Sequence, residues 1–252
     1  MKFFLGLHHP GDAKNVERAF ISANAVANRK SVIEAKREWI LDSGAFTTLA
    51  NHGRYLASER DYGRLVRFMS SSSSLVAAVS QDFMCEPFIL EKTGLTVADH
   101  QRLTIERFDA LSDCDVGGVY LMPVLQGYAP DDYRRHVAAY GDRLAPCAWV
   151  GVGSVCKRNG SPQAIAAVLD AIHKERLDLR LHGFGVKLTS LADAGVRDRL
   201  YSADSMAWSF AARFEGRNGN NWREGERYAR RIATMPVQLS LPLVDPLDGC
   251  AQ

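Results

Sequence analysis

The sequence predicts an α/β protein folded as a (β/α)8 TIM-like barrel, incomplete or decorated. Short β-rich apolar runs recur along the chain, each ending in Gly, Asp, Gln or Ser, and segments with helical spacing lie between them. The chain is 252 residues long, 46% hydrophobic and 24% charged, enough for one large core.

Seven runs read as strands opening into polar loops: KFFLGLHH (2–9), WILDSGAF (39–46), LVAAVSQD (75–82), VYLMPVLQG (119–127), CAWVGVGS (147–154), LRLHGFGVK (179–187) and LYSADSMAW (200–208). The eighth strand of a full barrel has no clear candidate. Helical spacing marks 59–69, 96–111, 130–144 and 161–177, with Thr96 and Asp99, and Ser161 and Pro162, placed as helix starts. The serines at 70–74 read as a loop tip without chemistry. Residues 1–234 form one barrel domain in this reading. From 235 to 252 three prolines and no helical period indicate an extended tail.

Composition excludes several classes. Lys and Arg total 31 against 29 for Asp and Glu, so any polyanion site must be local. Five widely spaced cysteines without a CxxC pair fit a reducing compartment and assemble no zinc motif. The first apolar stretch is too short for a secretory signal, and no run approaches the roughly 20 apolar residues of a membrane helix. The expectation is a soluble, cytoplasmic protein with no membrane partner.

Active sites of α/β barrels lie at the carboxyl ends of the strands. That position holds Asp42, Asp82, Gln126, the turn Gly151 to Gly153, Lys187 and Asp204. Converging carboxylates can divide between nucleophile, acid/base and ligand reading. Each aspartate could instead simply cap the helix after its strand.

LDSGAF, SQDFMCEP, MPVLQG, WVGVGS, HGFGVK and ADSMAW resemble, in order, the strand-end motifs of tRNA-guanine transglycosylases. The sequence is more similar still to the DpdA-type branch, which inserts 7-deazaguanines into DNA. The resemblance implies a guanine transglycosylase that exchanges guanine in DNA for a 7-deazaguanine such as 7-cyano-7-deazaguanine, in a bacterial cell or phage-infected host. It makes Asp204 the nucleophile and Asp42 the general acid/base. Asp82 and Gln126 would bind the base edge with backbone N–H groups near Gly151, Val152 and Gly153, and Phe46 and His182 would flank the ring. Two alternatives stay open: the same exchange on tRNA, and a non-catalytic nucleic-acid or clamp-binding barrel.

Members of the resembled family carry a zinc-binding Cys/His cluster after the nucleophile strand, whereas 212–231 here contain neither residue. No metal or other cofactor is expected. Six arginines and three glutamates lie between Arg213 and Arg231, among Asn, Gly and aromatic residues. Arg213, Arg217, Trp222 and Arg223, with Lys187, are therefore candidate nucleic-acid contacts. A solvated helix face with Glu–Arg pairs is the alternative. QLSLPL (238–243) resembles the peptide by which bacterial replication proteins dock on the sliding clamp, with Gln238, Leu239, Leu241 and Leu243 as its contacts.

Overall fold

The computed structural model describes residues 1–236. Among these residues nine strands, all parallel, form one sheet: β1 (Lys2–Gly6), β2 (Arg18–Ser22), β3 (Glu38–Asp42), β4 (Leu75–Val79), β5 (Leu121–Met122), β6 (Val124–Leu125), β7 (Trp149–Val152), β8 (Arg180–Gly183) and β9 (Ser202–Ser205). The helices are α1 (Ala23–Val26), α2 (Ala45–His52), α3 (Glu59–Met69), α4 (Pro87–Thr93), α5 (Val97–Ser112), α6 (Pro130–Tyr140), α7 (Pro162–Glu175), α8 (Leu188–Leu191), α9 (Ala194–Arg197), α10 (Ala207–Phe214) and α11 (Trp222–Ala233).

The strand order β5-β4-β3-β2-β1-β9-β8-β7-β6 wraps into a nearly closed barrel. Its two ends, β5 and β6, are consecutive in sequence and separated by Pro123. The carbonyls of Tyr120 and Met122 accept from β4 and its end, whereas those of Pro123 and Leu125 accept from Gly151 and Gly153. One extended segment therefore serves both neighbours. Pro123 has no N–H to give to the ladder, and the single unsealed seam lies there.

The strand absent from the sequence reading is β2, RAFIS. Its apolar run is only Ala19–Ile21, too short to declare a period. The predicted helices appear as α3, α5, α6 and α7. Thr96 and Asp99 form a reciprocal cap on α5, and the Ser161 hydroxyl accepts the Ala164 N–H at the start of α7. The serine run is more than a loop tip: buried Ser72 donates to the Ile33 carbonyl (2.7 Å) and accepts from Trp39 Nε1 (3.2 Å).

Alternation along the strands divides the core. Phe4, Phe20, Ile40, Ala77, Val79, Met122 and Val124 fill the barrel, while Leu5, Ile21, Trp39, Leu41 and Val150 pack outward against the helices. Asp42 follows Ile40 by two residues, and Asp204 sits opposite Phe4 in the β1–β9 ladder. Both carboxylates thus belong to the inward face at the C-terminal mouth.

Gln238, Leu239, Leu241 and Leu243, with most of the tail expected at 235–252, lie outside the described residues. Before that point Met235 packs on the core and the Pro236 carbonyl accepts from Arg197 Nη1 at 3.2 Å. No helix among the described residues is long and apolar enough to cross a membrane.

Candidate active site

A cavity of about 610 Å³ opens at the C-terminal mouth, within the usual size of small-molecule sites. Asp42, Asp82, Gln126 and Asp204 all line it, with Gly153, Phe46 and Glu86. The four strand-end residues that carried the chemistry in the sequence therefore converge on one space.

Asp42 ends β3, is half-buried and lines the cavity. Gly44, at φ 75°, turns the chain so that its N–H donates to Asp42 Oδ2 at 3.1 Å. A side chain at Gly44 would also strike the Asn24 amide, 2.5 Å from where its Cβ would lie. Burial, then the charges of Asp204 and Asp82, push the Asp42 carboxyl up to about 7, against the Gly44 and Ser22 hydrogen bonds.

Asp82 lies just beyond β4 and is buried. Its Oδ2 accepts from Gln126 Nε2 and its Oδ1 from the Ser43 hydroxyl (3.2 Å). Burial raises its carboxyl to about 7 although those two bonds oppose the shift. The Gln126 carbonyl oxygen faces the Ser154 hydroxyl at 2.8 Å. Ser154 Oγ lies equally close to Glu86 Oε2, at 2.8 Å, and accepts the Cys85 N–H at 2.9 Å. Glu86 is itself buried, which raises its carboxyl.

Asp204, in β9, is held differently. Its Oδ1 accepts the Gly185 N–H at 3.1 Å and lies 3.3 Å from His182 Nε2, while Oδ2 has no hydrogen bond from the described residues. His182 Nδ1 in turn meets Ser202 Oγ at 2.8 Å, and Trp149 Nε1 donates to the same oxygen at 2.7 Å. A chain of fixed groups thus orients one oxygen of Asp204 and leaves the other for the cavity.

Two expected base contacts require correction. His182 is fully buried and does not line the cavity: it stacks on Phe20 (5.6 Å, 16°) and is edged by Phe184, so its faces are taken by protein. Its contact is Asp204. The Gly151 and Gly153 N–H groups are spent in the barrel ladder on Pro123 O (2.8 Å) and Leu125 O (2.9 Å). What these glycines give is space, since a Cβ at Gly151 would overlap the Phe184 ring and one at Gly153 the Gln126 amide. Phe46 does line the cavity and is 47% exposed.

The arginine-rich stretch divides. Arg213, on α10, is exposed and donates to Ser209 Oγ (2.5 Å), beside the cavity residue His8 (3.4 Å). Arg217 is committed to Glu215 (2.6 Å) and Glu224 (3.1 Å). Trp222 is half-buried against the core, with the Arg223 guanidinium 4.8 Å over its ring. The ion-pair reading thus describes Arg217, Arg227 and Arg230, and only Arg213 is tied to the mouth. Exposed Lys187 precedes α8, and its N–H is bound to Asn159 Oδ1 at 2.7 Å. Residues 212–231 do not fit a zinc ion, and among the described residues no three His, Cys, Asp or Glu side chains gather to hold a metal.

Glu86, Ser154 and Gly185 were not singled out in the sequence. Glu86 and Ser154 are 68 residues apart, and no local pattern marks such a pair. Ser154 has a trace: it adopts φ 54°, unusual for a side-chain-bearing residue and frequent at functional turns.

No curated protein matches the sequence significantly. A family model described as DpdA, deoxypurine in DNA protein A, matches residues 1–220. Three aspartates at one barrel mouth and a match over 220 of 252 residues agree: the chain belongs to the DpdA family and is a transglycosylase-type enzyme that modifies DNA.

Proposed function

We propose that this protein replaces guanine in DNA by a 7-deazaguanine, such as 7-cyano-7-deazaguanine, through a covalent link to Asp204. The observation that carries the reading is the division of labour within one cavity. Asp204 presents a free oxygen, Asp42 sits where burial holds its proton near neutral pH, and Asp82 with Gln126 forms a paired acceptor and donor.

The guanine edge offers two adjacent N–H donors, which a carboxylate accepts, and a carbonyl that takes the second amide N–H of Gln126. Adenine reverses that pattern. Asp204 Oδ2 attacks C1′ as the C1′–N9 bond breaks, and the electron pair leaves with N9. The departing base takes the proton of Asp42, and the oxocarbenium-like state collapses onto Asp204 as a glycosyl ester. The incoming deazaguanine returns its N9 proton to Asp42, its N9 attacks C1′, and the Asp204 carboxylate leaves. Protons and electron pairs balance over the cycle, and no metal or redox group enters. The target must reach the cavity unpaired or flipped from the helix.

Incubation of the full chain with radiolabelled guanine or 7-cyano-7-deazaguanine and DNA tests the proposal. Label is expected in DNA, together with a protein–DNA adduct that survives denaturation. Label that enters tRNA and never DNA would overturn the choice of polymer. No label in either would overturn the reaction.

A further inference from the structure

Beside the base cavity lies a second groove of about 510 Å³. The two spaces share Phe46, Glu86 and Ser154 as a common wall. The remainder of the groove comes from separate strand-end loops: Phe88 on α4, Tyr128 before α6, and Lys157 and Arg158 in the turn after β7.

Three large aromatic side chains stand open to solvent here, with Phe46 47%, Phe88 42% and Tyr128 49% exposed. They do not close over one another: Phe46 and Phe88 meet edge to face at 6.3 Å. Cations accompany them. Lys157 Nζ lies 5.4 Å from the Phe46 ring and 5.9 Å from the Phe88 ring, and the Arg158 guanidinium is 4.8 Å over Tyr128. Arg158 is fixed by the carbonyls of Ser154 (3.2 Å) and Tyr128. Lys157 makes no direct salt bridge among the described residues, and its charge acts on the nearby Glu86 carboxyl. Glu86, the acidic side chain in the groove, is turned to Ser154 and Cys156.

Flat apolar faces interleaved with cations are what an unpaired nucleotide needs, a ring to stack on and positive charge for its phosphate. Resting on the reading of the cavity as the site of the target base, we infer that this groove holds the nucleotide next to the target in the same DNA strand, its base against Phe88 and Tyr128 and its phosphate at Lys157. Adjacency to the cavity across Phe46, Glu86 and Ser154 selects that occupant, because the neighbouring nucleotide is covalently tied to the target and arrives with it. The enzyme then reads its substrate as a short unpaired stretch rather than as one extruded base in an intact stack.

Single-stranded deoxyoligonucleotides with one guanine and 2-aminopurine directly on its 5′ or 3′ side test this, mixed with the full chain in the absence of free base. Binding is expected to change 2-aminopurine fluorescence on one side only. Phe88→Ala and Tyr128→Ala should each weaken oligonucleotide binding by about tenfold and remove the fluorescence change. Lys157→Gln should weaken binding less and lower the salt slope by about 1. Binding of free guanine, measured by calorimetry, should stay at the parental level in all three variants. Parental oligonucleotide affinity in the three variants would overturn the assignment, and so would joint loss of free-guanine and oligonucleotide binding. A parental chain that binds the oligonucleotide through these residues but binds no guanine would instead remove the reading of the cavity and leave the groove standing.

Discussion

On the β3–β4 wall of the mouth, Asp42 and Asp82 are carboxyls that burial pushes up to about 7. Across from them on β9, Asp204 receives the Gly185 N–H and faces His182 Nε2. One residue type is thus placed in two environments. The wall that favours a proton suits proton transfer, and the wall that supplies donors suits a nucleophile. The contrast teaches that role follows from what surrounds a carboxylate, not from its place at a strand end, which all three share.

Substitution at Asp204 is the sharpest way to break the comparison. Asp204→Asn is expected to lower exchange by about 10⁴-fold or more and to abolish the denaturation-resistant adduct. A retained adduct, seen on a denaturing gel, would move the nucleophile to the other wall. Asp42→Asn should cost about 10²- to 10³-fold in guanine release while leaving the adduct detectable at long times.

The pH profile sharpens the same contrast. In the proposed exchange Asp42 holds a proton to release guanine and Asp82 is ionised to accept the base edge, and burial brings both carboxyls to about 7. Single-turnover exchange is therefore expected to be bell-shaped with its optimum near neutrality, the two limbs belonging to the coupled pair. Asp42→Asn should flatten the alkaline limb.

A smaller effect is expected at Gly153. The Cβ of Gly153→Ala would displace the Gln126 amide, and guanine affinity measured by calorimetry should fall by about ten- to a hundredfold. The smallest effect is on stability. A carboxyl raised in the folded state binds its proton more tightly there than when unfolded, so stability falls as pH rises from about 4 to 7. Asp42→Asn removes that penalty. It should gain on the order of 1–3 kcal/mol at pH 8, discounted for water in the cavity, and little at pH 4, in thermal melts at the two pH values.

Much of the candidate site was legible in the sequence because strand ends in a barrel share one mouth: Asp42, Asp82, Gln126 and Asp204 arrive together. The strands were legible wherever the apolar run was long, and β2 escaped with three apolar residues. Glycine N–H groups misled because Gly151 to Gly153 continue the ladder instead of leaving it. Histidine 182 misled because sequence order says nothing of which ring faces a ligand and which is enclosed by Phe20 and Phe184. The arginines looked like a phosphate grip because their glutamate partners are interspersed among them, and half of them close on those partners.

Ser154 gives the site a direction. Its hydroxyl has one hydrogen, yet both Glu86 and Gln126 present an oxygen 2.8 Å away. Burial raises the Glu86 carboxyl and so favours its protonated form, in which Glu86 donates to Ser154 and Ser154 donates to the Gln126 carbonyl. Every link then points one way, from Glu86 through Ser154 and Gln126 to Asp82. The amide cannot flip without breaking two links at once. In that state Glu86 and Ser154, both on the cavity wall, hold the Gln126 amide in the orientation that donates to Asp82.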